Sequence, residues 1–307
     1  MNDQIPHLHA LARALMSLEG LSVGDAFGEQ FFNPAHLRAQ LTSGVFPTGG
    51  WTFTDDTNMA LSVYAILRQH QHIHQNTLAQ SFAAHFDPAR KYGAGATQLL
   101  RFIRRGGDWR EGSRAMFGGQ GSYGNGGAMR VAPLGAFFHH DLAKAAEQAR
   151  LSAEVTHAHP EGIAGAVAVA VAAGVACTLR GSPPPARTQF IDLVLPHVPP
   201  SEVHSKIARA RDLSSSISLE GAVSLLGNGS QISAQDTVGY CLWCAGELLG
   251  NYEQALWLTA AGGGDIDTNC AIVGGIVACY TGVNGIPSAW RAAREPLPNW
   301  PFSEDME

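Results

Sequence analysis

Two short acidic clusters, Thr54-Asp55-Asp56-Thr57 and Gly264-Asp265-Ile266-Asp267-Thr268, lie roughly two hundred residues apart and constrain this chain more than any other feature. Each packs carboxylate and hydroxyl oxygens into a few residues beside glycine. The second continues the run Gly262-Gly263-Gly264, which neither helix nor strand formation accounts for. If the fold joins the clusters, four carboxylates at one point repel by on the order of several kcal/mol unless a cation neutralises them. A site for divalent metal, with room for two ions, follows from that condition.

The surrounding chain supports a large core, with 307 residues and 45% apolar content. A net charge of -6 with scattered Lys and Arg argues against a broad electrostatic grip on nucleic acid or an anionic membrane. The five cysteines, Cys177, Cys241, Cys244, Cys270 and Cys279, do not read as a disulfide framework. Cys241 and Cys244 form a Cys-x-x-Cys pair in an apolar, helix-like segment with no second pair or nearby His, so buried structural thiols are expected rather than zinc ligands. Met1 to Pro6 gives no basic start followed by an apolar stretch, so no signal peptide is read and a cytoplasmic protein is expected. The uncharged run from Gly162 to Leu179 is long enough to raise the membrane question, but its Ala, Gly and Val content suits a helix buried in a bundle.

Helical periodicity dominates. Apolar residues recur at helical spacing from His9 to Phe27 and from Thr57 to His70, and Asn76-Thr77 is placed to cap a helix running to about Phe86. Further helices are expected at 94–105, 126–138, 141–156, 160–180, 187–196, 201–211, 234–249, 251–261 and 267–281. Alternating strand patterns are nearly absent. The expectation is an all-α, multi-helix orthogonal bundle forming one domain over residues 1–307, because the acidic clusters must meet across the Gly181–Pro185 break.

Thr54 or Asp55 would serve as an N-cap, yet two adjacent Asp after Thr exceed what a cap needs. Asp265 and Asp267 are expected on one side of an extended loop, with Thr268 opening the next helix. A carboxylate and hydroxyl set suits Mg²⁺ or Mn²⁺ rather than zinc, and the glycines would let the backbone pass close to the ions. The glycine-rich run Gly118 to Arg130 leaves backbone N–H groups free to cradle a pyrophosphate, aided by a helix N-terminus, and matches neither a Walker A nor a Rossmann fingerprint. In Thr156-His157-Ala158-His159-Pro160, His157 is the ligand contact and His159 marks the junction of two helices.

In series, Thr-Asp-Asp-Thr, Gly-Asn-Gly-Gly-Ala-Met-Arg, Thr-His-x-x-Pro and Gly-Asp-x-Asp-Thr resemble the ADP-ribosylglycohydrolase family, from Gly20-Leu21-Ser22-Val23-Gly24-Asp25-Ala26-Phe27-Gly28 to Asn269. The resemblance implies an all-α fold with a binuclear Mg²⁺ or Mn²⁺ cleft and hydrolytic release of ADP-ribose from a modified protein or other acceptor. It implies Thr54, Asp55, Asp56, Asp265, Asp267 and Thr268 as metal ligands. Ser122, Tyr123, Gly124, Asn125 and Gly126 would hold the diphosphate, with His157 beside the ligand. Nucleic acid would enter only as the modified acceptor, and a monomer is expected. Where many relatives carry a Glu after the first Gly-Asp motif, this chain has Phe32, with Glu29 nearby. Asp55 and Glu29 are therefore both candidates for the base, and an ADP-ribose-binding protein without turnover is the alternative reading. Asp25 is expected as a buried brace of the cleft.

Overall fold

The computed structural model describes residues 4–32 and 50–303. Met1 to Asp3 and Gly49 therefore lie outside the described residues. Fifteen α-helices account for the described chain, and its β-structure is limited to two isolated bridges, Trp51 with Arg294 and Gly124 with Ser233. In chain order the helices are α1 (Gln4–Gly28), α2 (Asp55–His70), α3 (Gln75–Ala84), α4 (Ala94–Arg104) and α5 (Trp109–Gly119). Next come α6 (Ala132–Phe137), α7 (Leu142–Glu154), α8 (Pro160–Leu179), α9 (Arg187–Val194) and α10 (Glu202–Asp212). The last five are α11 (Leu219–Leu226), α12 (Ala234–Glu247), α13 (Tyr252–Ala261), α14 (Ile266–Thr281) and α15 (Ser288–Ala293).

Helix α8 has no polar face, and a helix apolar all round must be enclosed. It packs against α6, α7, α9, α12 and α14, and 83% of its apolar window is buried inside the protein. The five cysteines are free and buried, as expected for packing thiols.

The contact that builds the site is α1 against α14. Gly20, Gly24 and Gly28 recur every fourth residue and form a backbone-bare stripe along α1. A Cβ added at each would lie 2.5 Å from the carbonyl oxygen of Gly274, 2.1 Å from that of Cys270 and 2.5 Å from that of Ile266, respectively. The match is antiparallel in steps of one turn, so the C-terminal end of α1 meets the N-terminal end of α14. Asp25, one residue past Gly24, is thereby delivered to the start of the helix that carries Asp267.

Several sequence expectations need correction. The α3 cap is His74, whose ring accepts from the Thr77 N–H, rather than Asn76 or Thr77, and the helix stops at Ala84. Residues 126–131 are not α-helical: a 3₁₀ turn at Asn125–Gly127 precedes α6, because glycines there make a continuous helix unfavourable. Helices α5, α11 and α15 were not anticipated; each is short, and so few residues give little room for a period to show.

Candidate metal centre

Thr54 stands at the N-cap of α2, but its side chain makes no capping bond. Instead its hydroxyl lies 2.9 Å from Asp25 Oδ1 and 2.9 Å from Asp56 Oδ2. The capping interpretation therefore fails on geometry, since the oxygen that would close the helix is turned toward carboxylates. Asp265 caps α14 in the same manner, with no side-chain capping bond. Its Oδ2 accepts from Asn125 Nδ2 at 2.7 Å. Asp267 and Thr268 occupy the first turn of α14, not the extended loop expected for Asp267.

One carboxylate oxygen each from Asp25, Asp56 and Asp267 lies within 4.8 Å of the others, and all three residues are buried. Asp55, Asp265, Asp267 and Thr268 line the adjoining cleft, which encloses about 420 Å³. Two like charges 4.8 Å apart repel by roughly 3 kcal/mol at an effective dielectric of 20. Among the described residues no lysine or arginine ion-pairs with any of these five aspartates. Burial and then repulsion by neighbouring aspartates push Asp55 up to about 7 and Asp56 and Asp267 well above the usual range, while burial, opposed by the Thr54 and Thr57 bonds, lifts Asp25 to about 6. Asp265 is raised by burial, a rise opposed by the Asn125 bond.

Asp25 and Asp56 differ in what satisfies them. Asp25 accepts from the Thr54 and Thr57 N–H groups and both hydroxyls, the Thr57 hydroxyl at 2.5 Å, so it braces the acidic loop as expected. Asp56 Oδ1 is buried with no partner. An orphaned, solvent-free carboxylate oxygen is costly unless a cation meets it. The donor set is all oxygen, which fits a hard dication such as Mg²⁺ or Mn²⁺.

The glycines before Asp265 serve tight packing. Gly264 has φ +77°, and a Cβ there would fall 2.0 Å from the Asn228 carbonyl oxygen. That oxygen accepts from the Asp265 N–H at 3.2 Å and from Asn269 Nδ2 at 2.7 Å, which fixes the start of α14. Asn228 escaped the sequence reading because it stands in no repeated chemical pattern, and Asn269 was named there only as the end of the second acidic motif; only the fold reveals the two as the pins of this turn.

Ser122, Tyr123, Gly124, Asn125 and Gly126 all line the cleft, as does His157. The loop is tied down at its start, by His159 N–H to the Ser122 carbonyl at 3.4 Å and Ala234 N–H to that of Tyr123 at 2.9 Å. A 3₁₀ turn, not an α-helix N-terminus, follows it. His157 packs beneath, so close that a Cβ on Gly126 would meet its Cε1 at 2.9 Å. Burial, then the nearby Arg130 charge, pushes its imidazole down to about 3, leaving it neutral. Arg130 Nη2 donates to the Thr156 hydroxyl at 2.9 Å, which lies 2.7 Å from His157 Nδ1. The hydroxyl proton is then placed for Nδ1, the tautomer that leaves a proton on Nε2. His159 caps α8 by accepting from the Glu161 N–H, the structural role expected of it. Phe117 and Tyr123, both exposed with ring centroids 5.5 Å apart, form an aromatic wall of the same cleft.

Glu29 stands apart from the five aspartates. It ion-pairs with Lys91, yet its charge is felt at Asp267. Phe32 is exposed and offers no carboxylate.

Helices closing five carboxylates beneath a glycine-rich, aromatic-walled cleft define an all-α protein with an acidic centre able to hold dications. Comparison with known proteins agrees: the ADP-ribosylglycohydrolase family model matches residues 6–305, and the chain belongs to that family. Human ADP-ribosylhydrolase ARH3 is 29% identical over 93% of this chain and 90% of its own length. The Bos taurus ARH3 is 31% identical over 79% of this chain and 74% of its own. ADP-ribosylarginine hydrolase Tri1 of Pseudomonas putida (strain GB-1) is 24% identical over 92% of this chain and 74% of its own. A solved structure described as an ADP-ribosylglycohydrolase-related protein complex superposes with a TM-score of 0.62 at 25% identity, covering 94% of this chain and 93% of that one.

Proposed function

We propose that this protein is a divalent-cation-dependent hydrolase that cleaves the glycosidic bond joining ADP-ribose to an acceptor. The observation that carries this reading is the buried, unpartnered Asp56 Oδ1 within a group of aspartates drawn from both ends of the chain, directly beside a glycine-rich cleft. Family membership and relatives named as ADP-ribosylhydrolases support it.

Thr54, Asp55, Asp56, Asp265, Asp267 and Thr268 would hold two Mg²⁺ or Mn²⁺ ions. When bound, such ions supply the positive charge that fixes ribose hydroxyls and acidifies water. The chain's own residues do the rest. Backbone N–H groups of the Ser122–Gly126 loop and the His157 Nε2–H would bind the diphosphate and adjacent sugar, while Phe117 and Tyr123 offer rings to the base. Anchoring this unreactive part spends binding energy on orientation at the anomeric carbon, where an oxocarbenium-like state develops. Water adds to that carbon, the acceptor departs with its bonding pair, and a carboxylate takes the water's proton. Asp55 suits this task because it lines the cleft beside the other aspartates. Glu29 is the other candidate, already engaged by Lys91.

The test is release of free ADP-ribose from an ADP-ribosylated peptide, with Mg²⁺, with Mn²⁺ and in excess chelator. Asp267→Asn should abolish release while the circular dichroism spectrum is kept. Full turnover in chelator would end the metal assignment. ADP-ribose binding without turnover in either metal would favour a binding protein, the reading that Phe32 motivates.

A further inference from the structure

At the far end of α2 the chain reads His70-Gln71-His72-Ile73-His74, three imidazoles within one turn. The 16-residue helix puts about 22 Å between this turn and the acidic cluster at its start. None of the three histidines lines the cleft. Gln71, left-handed at φ +60°, ends α2 by donating its N–H to the Leu67 carbonyl at 2.9 Å. The chain then doubles back: the His70 and His74 rings stack with centroids 5.3 Å apart, and His72 lies edge-on to His70 at 6.2 Å. Helix α7 straps the turn in place. The Ile73 N–H donates to Gln148 Oε1 at 2.6 Å, and Gln75 Nε2 donates to the Leu151 carbonyl at 3.0 Å and to Glu154 Oε2 at 2.9 Å.

The ring nitrogens are disposed for ligation. His72 Nδ1 lies 2.7 Å from the His70 carbonyl, which can only accept, so Nδ1 carries the proton and Nε2 keeps a free lone pair. His74 Nδ1 lies 2.6 Å from the Thr77 hydroxyl, which again leaves Nε2 as the spare nitrogen. Ligation there keeps a proton on Nδ1 for that hydroxyl, in place of the longer 3.4 Å bond from the Thr77 N–H. His70 Nε2 is buried with no partner. Burial, then the nearness of His74 and His72, lowers the His70 pKa and favours the neutral ring that a metal needs. Among the described residues no carboxylate ion-pairs with any of the three. Two imidazoles on one tetrahedral ion, each about 2.1 Å from it, stand with centroids about 5 Å apart. The His70–His74 pair already has that spacing. The three donor atoms are not within 4.8 Å of one another, as those of Asp25, Asp56 and Asp267 are, and rotation of the exposed His72 and His74 rings closes the set.

We propose that His70, His72 and His74 form a second metal site, for one transition-metal ion of the zinc class, with water as its fourth ligand. Imidazole nitrogen suits Zn²⁺, Ni²⁺ or Cu²⁺, whereas the aspartates of the cleft suit hard dications. The ion joins the end of α2 to the start of α3. This site shares no residue with the acidic centre, so it stands apart from the hydrolase reading.

Calorimetric titration of the tag-free protein with Zn²⁺, in saturating Mg²⁺, tests the idea. One Zn²⁺ should bind with a micromolar Kd. His72→Gln should weaken that binding at least tenfold, as should His74→Asn, which keeps an acceptor at the α3 cap. Both variants should retain the native circular dichroism spectrum and Mg²⁺ response, and Asp267→Asn should retain the Zn²⁺ site. X-ray absorption at the zinc edge should show a shell of nitrogen and one oxygen at about 2.0 Å. Millimolar or weaker affinity overturns the assignment. So does Zn²⁺ binding that neither histidine substitution weakens, or that Asp267→Asn removes.

Discussion

Raising the pH of the chelated protein from about 4 to about 8 should weaken its fold, the reverse of the usual behaviour of paired carboxylates. Burial lifts the Asp55 carboxyl in the fold to about 7 from an ordinary 3.8, and that of Asp25 to about 6. An acid raised in this way holds its proton in the fold after the unfolded chain has released it. The stability it contributes is complete below the unfolded value and is lost as pH climbs through the folded one. For Asp55 the full cost of ionisation is about 4 kcal/mol, and its position on the cleft wall lets water screen part of it, leaving about 3 kcal/mol. Asp25 shares the same field, so its share is not added. For a chain of this length about 3 kcal/mol corresponds to a fall of about 5 °C in melting temperature. With saturating Mg²⁺ the sign inverts, because ions bind only the ionised carboxylates and reward their deprotonation. Differential scanning calorimetry at pH 4 and 8, with chelator and with Mg²⁺, measures all four states. A chelated protein whose melting temperature is flat or rises over that range would refute the electrostatic account. Asp56→Asn should raise the chelated protein's melting temperature at pH 8 and abolish its response to Mg²⁺.

Two further substitutions probe the scaffold. Gly24→Ala puts a methyl 2.1 Å from the Cys270 carbonyl oxygen, so α1 and α14 must separate; an overpacking loss of about 1–3 kcal/mol in urea unfolding and a weakened Mg²⁺ response are expected. Asn125→Asp keeps the shape but replaces the donor to Asp265 with a second carboxylate; ADP-ribose release should fall at least a hundredfold, by about 3 kcal/mol in kcat/KM, with little change in the helical spectrum.

Much of the fold was legible because its signals are local. The apolar period marks α1, α2, α8 and α14 within a residue or a few, since a long amphipathic or wholly apolar run has few alternatives to a buried helix. The boundaries that failed, at α3 and α6, were set by side-chain caps and glycines whose effect depends on neighbours. For the site, the sequence named Asp55, Asp56, Asp265 and Asp267 through their clustering, and the loop and His157 through their composition and family pattern.

What the sequence alone determined was an inventory: helices, two oxygen-rich clusters and a glycine-rich loop. It could not say that Thr54 abandons its capping bond for Asp25 and Asp56, nor that Asn228 pins the turn before α14. It also gave no sign that Lys91 reaches across to Glu29. Those relations were decided by the tertiary structure, because they arise when the glycine stripe of α1 lets two backbones touch and carries Asp25 to Asp267. Hydrophobic periodicity is written along the chain, whereas the meeting of like charges exists only once packing has forced it.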